Sequence, residues 1–159
     1  MVRRSPFALV AVTCVALGSC SMMGSSSKNT VTNAAKGIQF GATLSGRDEV
    51  PPTNSRAAAG EVQASYDQAR KAITWKVSFG NLTSTATAAH LHGPAMPGAN
   101  AGVVVTLTPR NMYPVVSPLE GSATLTDQQA ADLMAGRWYA NIHTVNNPTG
   151  EIRGQLLPK

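Results

Sequence analysis

From Ile38 onward, apolar residues recur at every second position in short runs. Ile38, Phe40, Ala42 and Leu44 share one face of the first run. This period of two is the signature of a half-buried β-strand. The pair Pro51-Pro52 interrupts it, because proline cannot donate to a ladder. Alternation resumes over 60–66 and again over 72–79, where Ile73, Trp75, Val77 and Phe79 point one way. The intervening Asp67-Gln68-Ala69-Arg70 reads as a turn, so these two runs predict a hairpin. Further strands are expected over 87–92, 102–107, 119–125, 139–145 and 151–157. The last two are separated by the turn Asn146-Asn147-Pro148-Thr149-Gly150. One helix breaks the pattern. Thr126 with Gln129 three residues on is a capping box, Ala130, Leu133 and Met134 form an apolar stripe, and Gly136 ends it. About eight antiparallel strands with one short helix predict an all-β Greek-key sandwich or barrel.

Composition fits one such domain. Hydrophobic residues make up 43% of the 159 positions and charged ones 13%. That is enough to build a core and too little charge for a disordered chain. The net charge of +5 includes Arg3 and Arg4 in the leader described next, and no basic patch is clustered elsewhere. Nucleic-acid binding is therefore not expected.

The N-terminus predicts export. Met1-Val2-Arg3-Arg4 is a positive start, Phe7 to Leu17 an apolar run too short to span a bilayer comfortably, and Leu17-Gly18-Ser19-Cys20 has the form of a lipobox. The expected organisation is a lipoprotein signal peptide over 1–20 with lipidation at Cys20, a flexible tether over 21–37, and one β domain over 38–159. The alternative is an ordinary secretory signal cleaved nearby, with Cys20 incidental. Paired acyl chains would hold the chain on the periplasmic or extracellular side of a membrane. Ser21, rather than Asp, after Cys20 points to the outer membrane in a Gram-negative cell. The only other cysteine, Cys14, lies in the leader, so the domain carries no disulfide.

Four separated motifs carry a family resemblance. They are Glu49-Val50-Pro51-Pro52, Ala89-His90-Leu91-His92-Gly93-Pro94-Ala95, the segment Leu133 to Thr144, and Asn147-Pro148-Thr149-Gly150-Glu151-Ile152-Arg153-Gly154-Gln155. In this order they resemble the CHRD domain first described in chordin, over roughly residues 38 to 157. The resemblance implies a β fold. In chordin such domains belong to an extracellular protein that binds bone morphogenetic proteins, a role that does not transfer to a single-domain lipoprotein. The resemblance thus supports the fold more than the activity, and the compact motif set with no catalytic residues points to a binding module in the cell envelope with an envelope protein as partner.

All three histidines fall inside these motifs. His90 and His92, one residue apart on a strand, point to the same face, roughly 6–7 Å apart. His143 lies on a second strand, with Tyr139 and Asn141 on its face. If the strands pair, three imidazoles converge, a donor set that suits copper or zinc. Glu49, Glu151 and Met96 are candidates for a fourth ligand. Asn141 and Thr144 are candidates to orient an imidazole. The competing reading keeps the histidines structural, with His92 pinning the Gly93-Pro94 turn and His143 bonding across strands. Glu151 and Arg153 are expected on one strand face as a structural ion pair, with partners such as Asp48 or Glu120. A local likeness of His-x-His to copper-zinc superoxide dismutases lacks their further ligand motifs. No catalytic residues stand out: there is no nucleophile elbow, no phosphate-cradling glycine loop and no paired acids. The residues favour a non-enzymatic role.

Overall fold

A computed structural model describes residues 37–159. The leader, Cys20 and the tether up to residue 36 lie outside the described residues. The strands are β1 (Ile38–Ser45), β2 (Ala59–Asp67), β3 (Ala72–Gly80), β4 (Ala86–His92), β5 (Val103–Thr106), β6 (Leu119–Thr124), β7 (Trp138–Thr144) and β8 (Ile152–Pro158), with helix α1 (Asp127–Met134) between β6 and β7. A 3-10 turn, Gly46–Asp48, follows β1.

All eight strands join one antiparallel sheet in the order β5-β4-β7-β8-β1-β2-β3-β6. It curls into a nearly closed barrel around a shared core. The alternating positions read from the sequence supply that core: Phe40 and Leu44 from β1, Val62 from β2, Ile73 and Val77 from β3, Leu91 from β4, Ile142 from β7 and Leu156 from β8. The β2–β3 hairpin pairs Ala59 with Gly80 through Asp67 with Ala72. On the barrel's outside, Lys76 faces Glu120 across the β3–β6 ladder, and their charges meet at 2.9 Å.

Helix α1 starts as its capping box dictates. Thr126 Oγ1 accepts from the Gln129 amide, and the Gln129 side chain accepts from the Thr126 amide. It stops at Gly136, whose φ of +67° favours a residue without a Cβ. The Arg137 amide bonds the Asp132 carbonyl and the Gly136 amide bonds that of Leu133, completing a Schellman ending. Leu133 is fully buried, fixing the helix onto the core.

Two features position the site. Strand β4 carries a bulge: Ala86 and Ala88 pair with the consecutive residues Thr144 and His143, leaving Thr87 extra. Beyond the bulge, Ala89 and Leu91 face the core and His90 and His92 face outward. The second feature is the connection from Gly93 to Gly102, which folds over the outer face of β4, β7 and β8. Side chains of that face hydrogen-bond to it, His92 to the Ala101 carbonyl, Arg153 to Ala99 and Asn100, and Gln155 to the Ala95 carbonyl. Residue Met96 on this connection is exposed.

Candidate metal centre on the outer face of β4, β7 and β8

Strand pairing decides what meets on this face. His90 lies opposite Asn141, and His92 opposite Tyr139, while His143 pairs two residues further along β7 with Ala88. Because side chains alternate, His90, His92, Tyr139, Asn141 and His143 all project from one surface. Each histidine offers a nitrogen, and these three nitrogens lie within 4.8 Å of one another.

The hydrogen bonds fix which nitrogens are available. His143 Nδ1 lies 2.9 Å from the Pro148 carbonyl. His92 Nδ1 lies 3.0 Å from the Ala101 carbonyl. A carbonyl only accepts, so each Nδ1 carries the proton and each neutral ring keeps its lone pair on Nε2. His90 Nδ1 lies 3.0 Å from His143 Nε2 and donates to it. Burial lowers the pKa of His90 to about 4, and the neighbouring His143 and His92 add to the effect. Burial also lowers that of His143, against the pull of its Pro148 bond. Both rings are therefore neutral at pH 7, the form that binds metal.

Tyr139 and Arg153 extend the cluster. The Tyr139 ring stacks parallel on His92, with centroids 4.8 Å apart. The Arg153 guanidinium lies 3.3 Å over the same ring. Arg153 Nη1 donates to Asn100 Oδ1 and Nη2 to the Ala99 carbonyl. Tyr139 Oη and His92 both contact Ala101. The face thus clamps the 93–102 connection over itself. A cavity of about 580 Å³ lies alongside, lined by Arg47, Glu49, Pro97, Arg153 and Gln155 among others, and none of the histidines lines it.

Asn141 Oδ1 lies 3.0 Å from His92 Nε2, so it touches the imidazole it was expected to orient. Thr144 does not. It follows His143 by one residue, so alternation turns it inward, where its hydroxyl donates to Glu151 Oε2. The expected ion pair of Glu151 and Arg153 is also replaced. Glu151 ends the β7–β8 turn instead of entering the ladder. Its oxygens accept from the Thr83 amide and hydroxyl, the Thr144 hydroxyl and Asn147 Nδ2. Arg153, on the outer face, makes no salt bridge among the described residues. Its expected partners are taken, Asp48 by Arg47 and Glu120 by Lys76.

The fourth-ligand candidates also lie apart from the cluster. Glu151 is fully engaged by hydroxyls and amides, and Met96 is exposed on the covering connection. Glu49 is buried between Gly150, Asn141 and Arg153. Burial raises its pKa to about 7, with Arg153, the Val50 amide and Asn141 pulling the other way. Sequence reading missed the Tyr139–Arg153 stack and the carbonyl anchors at Ala99, Ala101 and Pro148. The period-two placement of Tyr139, Asn141 and His143 was the one available signal.

Fold and site together define the class: a small antiparallel barrel whose outer polar face carries a three-imidazole cluster and clamps a long connection. The match to a family model is specific. The CHRD domain model matches residues 40–156, most of the chain, and the protein belongs to the CHRD domain family. That membership supports a binding-module kind of role. No significant match was found among curated proteins or among solved structures.

Proposed function

We propose that this CHRD domain is a metal-binding module that takes one copper or zinc ion on His90 Nδ1, His92 Nε2 and His143 Nε2. The chain would be held by acyl groups on Cys20 to the outward-facing side of a cell-envelope membrane. The carrying observation is the pair of Nδ1–H bonds to backbone carbonyls at Ala101 and Pro148. Such bonds fix the tautomer and aim the opposite nitrogen, as they do for ligating histidines generally. When bound, the ion would displace the proton shared by His90 Nδ1 and His143 Nε2. His90 would then carry its proton on Nε2. The lipobox ending at Cys20 supports the anchor.

The test is metal titration of the full-length chain in detergent, wild type beside His90→Ala. The reading expects about one equivalent of Cu(II) or Zn(II), lost in the variant with the circular dichroism unchanged. Absence of binding in wild type, or stoichiometric metal in a variant with all three histidines replaced by Ala, overturns it. Incorporation of labelled fatty acid that disappears in Cys20→Ser checks the anchor. A second reading, an envelope-protein binder with structural histidines, draws on the bonds that each imidazole already makes without metal. It expects a partner captured equally by wild type and His90→Ala.

A further inference from the structure

His92 and Asn141 make an unusual contact. The Nδ1 proton of His92 is committed to Ala101, so in the neutral ring Nε2 presents a lone pair. The atom facing it at 3.0 Å is Asn141 Oδ1, also an acceptor. Two acceptors pointed at each other without a hydrogen between them are mutually unfavourable, and a cation between them reverses the sign. The amide Nδ2 faces the small space above Gly150 that the Glu49 carboxyl also faces, with no aligned hydrogen bond between them. When ionised, that carboxyl favours the amide NH2 on its own side and Oδ1 directed at His92.

The spacing fits shared coordination. Donor atoms about 2.0–2.2 Å from one metal ion sit about 2.9–3.5 Å apart at right or tetrahedral angles. Both the His92–Asn141 contact and the His90–His143 contact, each 3.0 Å, lie in that range. Asn141 stands directly opposite His90 on the paired strand, which sets its amide beside the three-imidazole cluster.

Resting on the three-histidine reading above, we infer that Asn141 Oδ1 is the fourth ligand, oriented by Glu49, and that the resulting three-nitrogen, one-oxygen set selects Cu(II). A set of imidazole nitrogens and an amide oxygen without thiolate binds Cu(II) more tightly than zinc in the ordinary order of divalent affinities. Asn141 is then a ligand rather than a support for the His92 ring. Glu49 is a positioning residue that acts through Asn141.

The experiment is electron paramagnetic resonance and Cu(II) titration of the full-length chain, comparing wild type, Asn141→Ala, Asn141→Asp and Glu49→Gln. The inference expects an altered copper hyperfine coupling and affinity about 10- to 100-fold weaker in Asn141→Ala. It expects binding at least as tight as wild type in Asn141→Asp, which keeps the oxygen and adds charge. Glu49→Gln should shift the spectrum without removing the copper. Copper bound by wild type with a spectrum unchanged in both Asn141 variants overturns the fourth-ligand assignment and leaves the three-histidine site standing. No copper bound by wild type overturns both. Should Asn141→Ala fail to fold, the near-isosteric Asn141→Asp decides alone, because a purely structural amide would leave the copper spectrum unmoved.

Discussion

Two buried polar clusters lie within a few residues of each other on β7, and they differ in how completely their atoms are paired. Around Glu151, where three inter-strand connections meet, each carboxylate oxygen receives donors from Thr83, Thr144 or Asn147. Around His92, Nε2 faces an amide oxygen at 3.0 Å, an opposition of two acceptors in the neutral ring, and Glu49 Oε1 is buried with no aligned donor. A closed network rigidifies the fold, whereas an open one is costly unless something completes it. The difference separates a structural latch from a candidate site, although both look alike in the sequence as polar residues within the same motifs.

The contrast can be broken by substitution. Glu151→Ala strips a fully buried acceptor from four donors and should cost about 3–5 kcal/mol in chemical denaturation. A loss below about 1 kcal/mol would show that the latch is not structural. Gly150→Ala comes next. Gly150 has φ +134°, and a Cβ there would press on Glu49 Oε1 and Asn141 Nδ2. About 2–3 kcal/mol of destabilisation is expected, together with weaker copper binding. Unchanged melting of this variant would contradict the packing described.

Tyr139→Leu removes the ring between His92 and Arg153. The expected loss is about 1–2 kcal/mol, with faster hydrogen exchange confined to residues 93–102. Exchange that rises uniformly would argue against a local clamp. His90→Ala, without metal, should change stability by less than about 1 kcal/mol, since its ring is half-buried and makes one side-chain bond. A large metal-free loss would class the histidines with Glu151.

The smallest effect is a pH dependence. Burial pushes the Glu151 carboxyl up, but bonds from Thr144, Thr83 and Ser55 outweigh it and hold the group below its ordinary value of 4.5. The folded state therefore binds this proton less readily than the unfolded state. The stabilisation is fully present above pH 4.5 and is lost as pH falls through the lower folded value. Thermal melts from pH 7 downward should show a decline that Glu151→Gln flattens. Identical slopes in both proteins would remove Glu151 from the acid response.

Much of the fold was legible because β-ladders write their faces into alternate residues. Phe40, Ile73 and Leu91 were placed in the core by parity alone, and the His90/His92 pair was placed outside by the same rule. Parity also holds the answer for Thr144, which is one step from His143 and so faces inward, beside Glu151. Glu151 itself was read as a ladder residue because a turn boundary shifted by one position is invisible to pattern. The clamp on 93–102 left little trace in the sequence, since apart from Asn100 Oδ1 the acceptors for His92 and Arg153 are backbone carbonyls of Ala99 and Ala101. Any residue type supplies those. The opposition of His92 Nε2 and Asn141 Oδ1 was likewise hidden, because it depends on which proton the Ala101 carbonyl claims.

The extra residue in β4 lets the strand absorb a change of length. Ala86 and Leu91 both face inward because Thr87 stands outside the alternation. Deleting Thr87 would leave Leu91 inward and His90 and His92 outward, on the same β7 partners in a ladder without the bulge. The face that His90 and His92 occupy is thus set by their pairing with β7. Loss of Thr87 should be accepted in functional relatives, whereas loss of one residue between Ala89 and His92 would break that pairing.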